Sequence, residues 1–178
     1  MDFRLATQND GEAIVSLFTS VFAQSEEDAE GALIGQLARN LLEQTEAADL
    51  YSFVAVEHGQ ILGAIVFSRL RLDAPISAFI LSPVAVRSDR QGQGIGQALI
   101  NHGLGELKHQ GERLVLTYGD PAFYGKVGFQ PVSPEQIMPP YALSQPEGWL
   151  GQVLTGEAIA SLSGRCTCVA ALSDPQYW

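Results

Sequence analysis

The residues with the clearest chemical use are Gln91, Gly92, Gln93, Gly94, Ile95 and Gly96, which join a strand-like run, Phe79 to Val86, to a helix-like run, Ile95 to Gln110. Glycines let the backbone turn tightly and approach a ligand, and the N–H groups of the first helical turn have no partner within the helix. A glycine turn at a helix N-terminus therefore binds phosphate. The P-loop pattern G-x-x-x-x-G-K-[ST] is excluded, because no lysine occurs between residues 88 and 107. The dinucleotide fingerprint G-x-G-x-x-G fits poorly, since Gln97 stands where its third glycine belongs.

The pattern that does fit is Q-x-x-G-x-G, preceded by the apolar strand end Val84-Ala85-Val86 and a short polar link, Arg87 to Arg90. A second segment, Phe123-Tyr124-Gly125-Lys126-Val127-Gly128-Phe129, has the form F-Y-x-x-x-G-F and follows a strand-like stretch, Arg113 to Tyr118. In order and spacing the two segments resemble the GNAT N-acetyltransferase superfamily, the first as its motif A. The resemblance implies an α/β (α+β) fold: a mixed, largely antiparallel central sheet flanked by helices, with strands splayed at the coenzyme site. It implies acetyl-CoA as cosubstrate, with pyrophosphate on residues 91 to 96 and the pantetheine arm on Val84, Ala85 and Val86. It implies Tyr124 as the general acid for the departing thiolate. Packing of Tyr124 on the sheet is the structural alternative.

The reaction implied is acetyl transfer to a primary amine of a small molecule or protein. A lysine-like amine with pKa about 10.4 is neutral only about once in 2,500 at pH 7, a handicap of about 4 to 5 kcal/mol. Burial disfavours the ammonium, and a base or water chain can take its proton. No residue identifies itself as that base. Glu57 and His58 read as solvated hairpin residues. Many family members carry asparagine before the Phe-Tyr pair, whereas here Gly119-Asp120-Pro121 reads as an N-cap with proline at the first helical position. Arg87, Arg90 and Lys126 are open between neutralising coenzyme phosphates and simple solvation. A catalytically silent module that binds acetyl-CoA is the competing function; it would keep residues 91 to 96 without needing Tyr124.

Around this site the sequence supplies a frame. Phe3 to Thr7 reads as a strand, and Asn9-Asp10 as the cap of a helix carrying Ile14, Leu17, Phe18 and Val21 on one face. Leu33, Leu37 and Leu41 recur every fourth residue in a second helix, about Asp28 to Gln44. Tyr51 to Glu57 and Ile61 to Arg69 read as central strands joined by a tight turn at His58-Gly59. Gly103 and Gly105 weaken the third helix by about 1 kcal/mol each relative to alanine, and close packing is the expected reason. After Phe129, Pro131, Pro134, Pro139, Pro140 and Pro146 interrupt every long element. Loops carrying Trp149 over one end of the sheet are expected there, then a short helix near Gly156 to Leu162 and a strand, Arg165 to Ala171. That strand would bury Cys166 and Cys168 on one face beside Ala170.

Composition bounds the rest. With 178 residues and 46% hydrophobic content the chain is read as one domain, 1–178, whose part 131–178 is loop-rich. A net charge of -10 opposes nucleic-acid binding. The acids Glu26, Glu27, Asp28, Glu30, Glu43, Glu46 and Asp49 face only Arg39 within their stretch. The family resemblance puts this stretch in one wall of the acceptor site, where it would draw a cationic acceptor; a solvated helix face is the structural alternative. A lone C-x-C without a partner cluster predicts no metal. The absence of an 18-residue apolar run or a signal-peptide form predicts no membrane association and a cytoplasmic location. The proline-rich C-terminal third is open between a pocket lid and a homodimer contact.

Overall fold

The computed structural model describes residues 1–178. In chain order the elements are β1 (Asp2–Leu5), α1 (Gly11–Ser25), α2 (Asp28–Gln44), β2 (Leu50–Glu57), β3 (Gln60–Leu72), β4 (Ser77–Val86), α3 (Ile95–His109), β5 (Leu114–Tyr118), α4 (Pro121–Tyr124), β6 (Gln130–Pro131), β7 (Ile137–Met138), β8 (Trp149–Val153) and β9 (Gly164–Cys168). The sheet runs β1-β2-β3-β4-β5-β8-β6. Its strands are antiparallel except for β4 and β5, which run parallel. β9 pairs with the end of β3 and with the short β7.

Strand alternation divides the core in two. Ala64, Val66 and Leu70 of β3 pack with Ile14, Phe18, Leu37 and Leu41 of α1 and α2. Ile65 and Phe67 point to the other face, with Leu99, Ile100 and Leu107 of α3. Full burial of one such side chain stabilises by about 1.5 to 3 kcal/mol. Gly103 lets α3 lie close to the sheet, for a Cβ there would stand 2.7 Å from the Phe67 ring. Gly105 faces open space, and nothing in the structure explains it. The β2–β3 turn is the tight one expected, with positive φ at both His58 (51°) and Gly59 (74°).

Four expectations need correction. Asp10 sits at the N-cap position of α1 but does not cap it. Its carboxylate turns back to Arg4 at 2.7 Å and to the Thr7 N–H at 2.7 Å, tying β1 to the start of α1. Trp149 is not in a loop: it opens β8, which pairs with β5 from Tyr118↔Trp149 to Leu114↔Val153. Its ring is fully buried and its Nε1–H donates to the Ile137 carbonyl at 2.9 Å. In place of a helix near 156 to 162 there is only a 3₁₀ turn, Ile159–Ser161. The last strand ends at Cys168, and Ala170 belongs to the following 3₁₀ turn. Cys166 is accordingly buried, with its thiol pushed up to about 12 by burial, whereas Cys168 is only half-buried.

Candidate active site

The site begins where two neighbouring strands part. β4 and β5 pair through Ala78↔Leu114 to Leu81↔Thr117 and no further. At this point β4 carries Ser82 and Pro83 opposite the single residue Val66 of β3, since Ile65 faces Val84 and Phe67 faces Leu81. An extra residue of this kind bends a strand. Beyond it, Val84 to Val86 still pair with β3 but have no neighbour on the β5 side. Arg87 donates its N–H to Leu62 of β3 at 2.7 Å. Because successive residues direct their backbone groups to opposite edges, Ala85 also turns to β3, while Val84 and Val86 turn to the open edge.

The open edge leads into the glycine turn. Gly92 and Gly94 have φ of 74° and 79°, a region glycine enters without steric cost. Gly94 is the N-cap of α3. The first intrahelical donor is Ala98, which bonds to the Gly94 carbonyl, so Ile95, Gly96 and Gln97 present unpaired N–H groups ahead of it. The partial positive charge of the helix end adds to theirs. Gln91 fastens the turn to the strand, its Nε2 donating to the Val86 carbonyl at 3.0 Å.

A cavity of about 900 Å³ runs along these elements. Of the residues singled out in the sequence, Val84, Ala85, Val86, Gln91, Gly92, Gly94, Ile95, Gly96 and Tyr124 line it. Gln93 does not; its Oε1 accepts from Arg90 Nε at 3.2 Å. The basic residues divide in the same way. Arg90 and Lys126 line the cavity, but Arg87 is turned to Asp89 at 2.6 Å. Arg90 is itself paired with Glu57 at 2.7 Å, which holds the Glu57 carboxyl below the usual carboxylate range. Lys126 forms no ion pair.

Opposite the turn, the cavity is closed by the end of β5 and by α4. Asp120 caps α4, its Oδ1 accepting the Ala122 N–H at 2.9 Å, with Pro121 at the first helical position. Tyr124 is half-buried and stacks edge-on against Phe123 and Phe129. Burial pushes its phenol up to about 12; the charge of Asp120 adds to the shift and the nearby Thr117 hydroxyl opposes it. The phenol is therefore a proton donor throughout the neutral range.

Val21, Phe22, Ser25 and Glu26 of α1 and its C-terminal cap, with Ile34 of α2, form the remaining wall. Of the acidic stretch only Glu26 lines the cavity. Glu43 pairs with Arg39, and Asp49 with Arg69 and Arg71. The sequence reading missed Ser82, Pro83, Tyr118 and Phe123, which also line it. Tyr118 carried a usable signal, as a polar-tipped residue at the end of an apolar strand; the bulge at Ser82-Pro83 left none. No group of three or more His, Cys, Asp or Glu side chains is placed to hold a metal ion. No helix is long and apolar enough to cross a membrane.

Known proteins resemble the chain over most of its length. A family model described as an acetyltransferase (GNAT) domain matches residues 2–132. The uncharacterized N-acetyltransferase YjhQ of Escherichia coli strain K12 is 30% identical over 173 residues, covering 93% of this chain and 91% of that protein. The crystal structure of the GNAT family protein YhbS from Escherichia coli in complex with CoA superposes with a TM-score of 0.84 at 23% identity, covering 97% of this chain and 92% of that one. A GNAT family acetyltransferase from Brucella melitensis in complex with acetyl-CoA gives a TM-score of 0.75 at 27% identity, covering 96% of each chain. The chain belongs to the GNAT acetyltransferase family.

Proposed function

We propose that the protein transfers the acetyl group of acetyl-CoA to a primary amine of a small molecule or protein, with Tyr124 as general acid. The observation that carries this reading is the continuity of the open edge of β4 with the N-terminus of α3. Donors for a diphosphate lie at one end of it. Along it the backbone groups of Val84 and the N–H of Val86 face an amide-bearing arm, the Val86 carbonyl already accepting from Gln91. The Brucella relative in complex with acetyl-CoA supports the choice of cosubstrate. On this reading Gln91, Gly92, Gln93, Gly94, Ile95 and Gly96 form the pyrophosphate turn, with Gln93 acting through its backbone. Val84 and Val86 pair with the pantetheine arm, and Ala85 supports them from the β3 side.

The cosubstrate supplies an activated acetyl thioester. The chain's residues orient it, exclude water and move one proton. An amine entering beside Val21, Phe22 and Ile34 loses hydration, which favours its neutral, nucleophilic form. As the carbon–nitrogen bond forms and the carbon–sulfur bond breaks, Tyr124 donates its proton to the departing sulfur. The proton shed by the nitrogen restores the phenol through solvent. Glu26 favours a cationic acceptor such as a polyamine, an aminoglycoside or a protein lysine. The same reading takes residues 1–178 as one acetyltransferase unit of the cytoplasm.

The test is a thiol-release screen of acyl-CoA donors against a panel of polyamines, aminoglycosides and lysine peptides, with mass spectrometry of the protein for self-acetylation. Release from acetyl-CoA that depends on an amine is expected. Tight coenzyme binding without release across the panel would instead identify a silent binding module.

A further inference from the structure

The geometry points to Gly119 as a positioning residue for Tyr124, held by a brace, Ser144 to Gly148, that lies beyond the residues matched by the family model. This rests on the reading of Tyr124 as the general acid. A Cβ built on Gly119 would stand 2.6 Å from Tyr124 Cε2, so the phenol ring occupies the space of the missing side chain. Gly119 does not have positive φ. Space, not backbone freedom, is what the glycine supplies.

The peptide that carries Gly119 is fixed from the C-terminal segment. Its N–H donates to the Gly148 carbonyl at 3.0 Å. The Tyr118 hydroxyl accepts the Gln145 N–H at 2.8 Å and shares a hydrogen bond with Ser144 Oγ at 3.0 Å. Gly148 is packed as tightly as Gly119: a Cβ there would lie 2.8 Å from the Gly119 carbonyl oxygen. The contacts form a series, from the brace to Tyr118 and Gly119 and from Gly119 to the Tyr124 ring. Because Asp120 and Pro121 fix the start of α4, the ring is the part free to move when the series is disturbed. A displacement of about 1 Å at a reacting group is enough to cost about 10²-fold in rate.

The experiment measures kcat and KM with acetyl-CoA and the panel amine giving the fastest thiol release, for Gly119→Ala, Tyr124→Phe and the double variant. Gly119→Ala is expected to lower kcat by about 10²-fold with KM for acetyl-CoA unchanged. In the Tyr124→Phe background it is expected to cost no further activity. An equal loss in that background would overturn the inference, because the effect would not pass through the phenol. Full activity of Gly119→Ala beside an impaired Tyr124→Phe would also overturn it, while leaving the acid role intact. Full activity of Tyr124→Phe would reject the acid role itself. Should Gly119→Ala fail to fold, Tyr118→Phe removes the brace's hydrogen bonds to Gln145 and Ser144 without adding bulk, leaving the Gly119–Gly148 bond in place. It is held to the same pattern: a kcat loss in the wild-type background and none in Tyr124→Phe.

Discussion

The hydroxyl of Thr117 donates to the carbonyl of Leu81 at 2.8 Å, across the last rung on which β4 and β5 pair. Thr117 is fully buried, and its bond marks the apex from which the two strands diverge. Thr117→Val keeps the shape and removes the donor. Leaving a buried carbonyl without this partner costs about 1 to 3 kcal/mol. Urea unfolding is expected to show a loss of that size, together with weaker binding of CoA by calorimetry as the apex loosens. Unchanged stability and affinity would mean that the apex is held without this bond.

Gly94→Glu tests the phosphate turn. At φ 79° a side chain costs about 1 to 2 kcal/mol, and the carboxylate adds negative charge where a diphosphate is to bind. CoA affinity measured by calorimetry should be lost while circular dichroism reports an intact fold. Gly94→Asn tolerates the same dihedral without the charge and should retain most of the affinity. Equal affinity in the wild type and Gly94→Glu would remove the diphosphate from this turn.

Tyr124→Phe should lower kcat by about 10² to 10⁴, the usual worth of general acid catalysis, with the fold and CoA affinity unchanged. The pH dependence follows from the phenol's position at about 12. A group raised in this way stays protonated below that value, so the acid remains competent across the whole working range. The rate should therefore rise with pH as the acceptor amine loses its proton, with no falling limb before about pH 10. A fall between pH 8 and 9 in a chemistry-limited assay would contradict this assignment.

Acid stability should depend on Asp10. Its carboxyl is held well below the usual carboxylate range, first by the hydrogen bond from Arg4 and then by Thr7, against the cost of burial. A carboxylate lowered in the folded state stabilises the protein above its unfolded value, about 3.9, and that contribution is lost as pH falls further toward the folded value. Asp10→Asn should be less stable than the wild type at pH 7. The difference should shrink as pH falls below about 4. Urea titrations from pH 3 to 7 measure both; a difference independent of pH would assign the effect to packing.

The parts of the site closest in sequence were the most legible. Val84 to Gly96 declared itself because an apolar run, three glycines and the 3.6-residue period of the next helix follow one another without interruption, and Asp120-Pro121 because caps are local. The cysteine strand was legible by its alternation, but residues 131 to 163 were not, since prolines break the period on which such reading relies. β8 is the clearest case: Gly151 gives it no strand signal, yet Leu116, Val132 and Ile159 crowd that position in the fold. Trp149 is buried because β5 and Trp178 meet it from elsewhere in the chain. The Arg4–Asp10 pair was hidden by a local reading of its own, as a helix cap. The divergence of β4 and β5 was expected from family resemblance alone, because the bulge at Ser82-Pro83 is defined by its partner Val66.

The most direct measurement is a crystal structure of the protein with acetyl-CoA. The diphosphate is predicted to accept hydrogen bonds from the amides at the start of α3, with the pantetheine arm paired to Val84 and Val86 and the thioester near Tyr124. Coenzyme bound elsewhere, with the turn at Gly92 to Gly96 empty and β4 unpaired, would contradict the account.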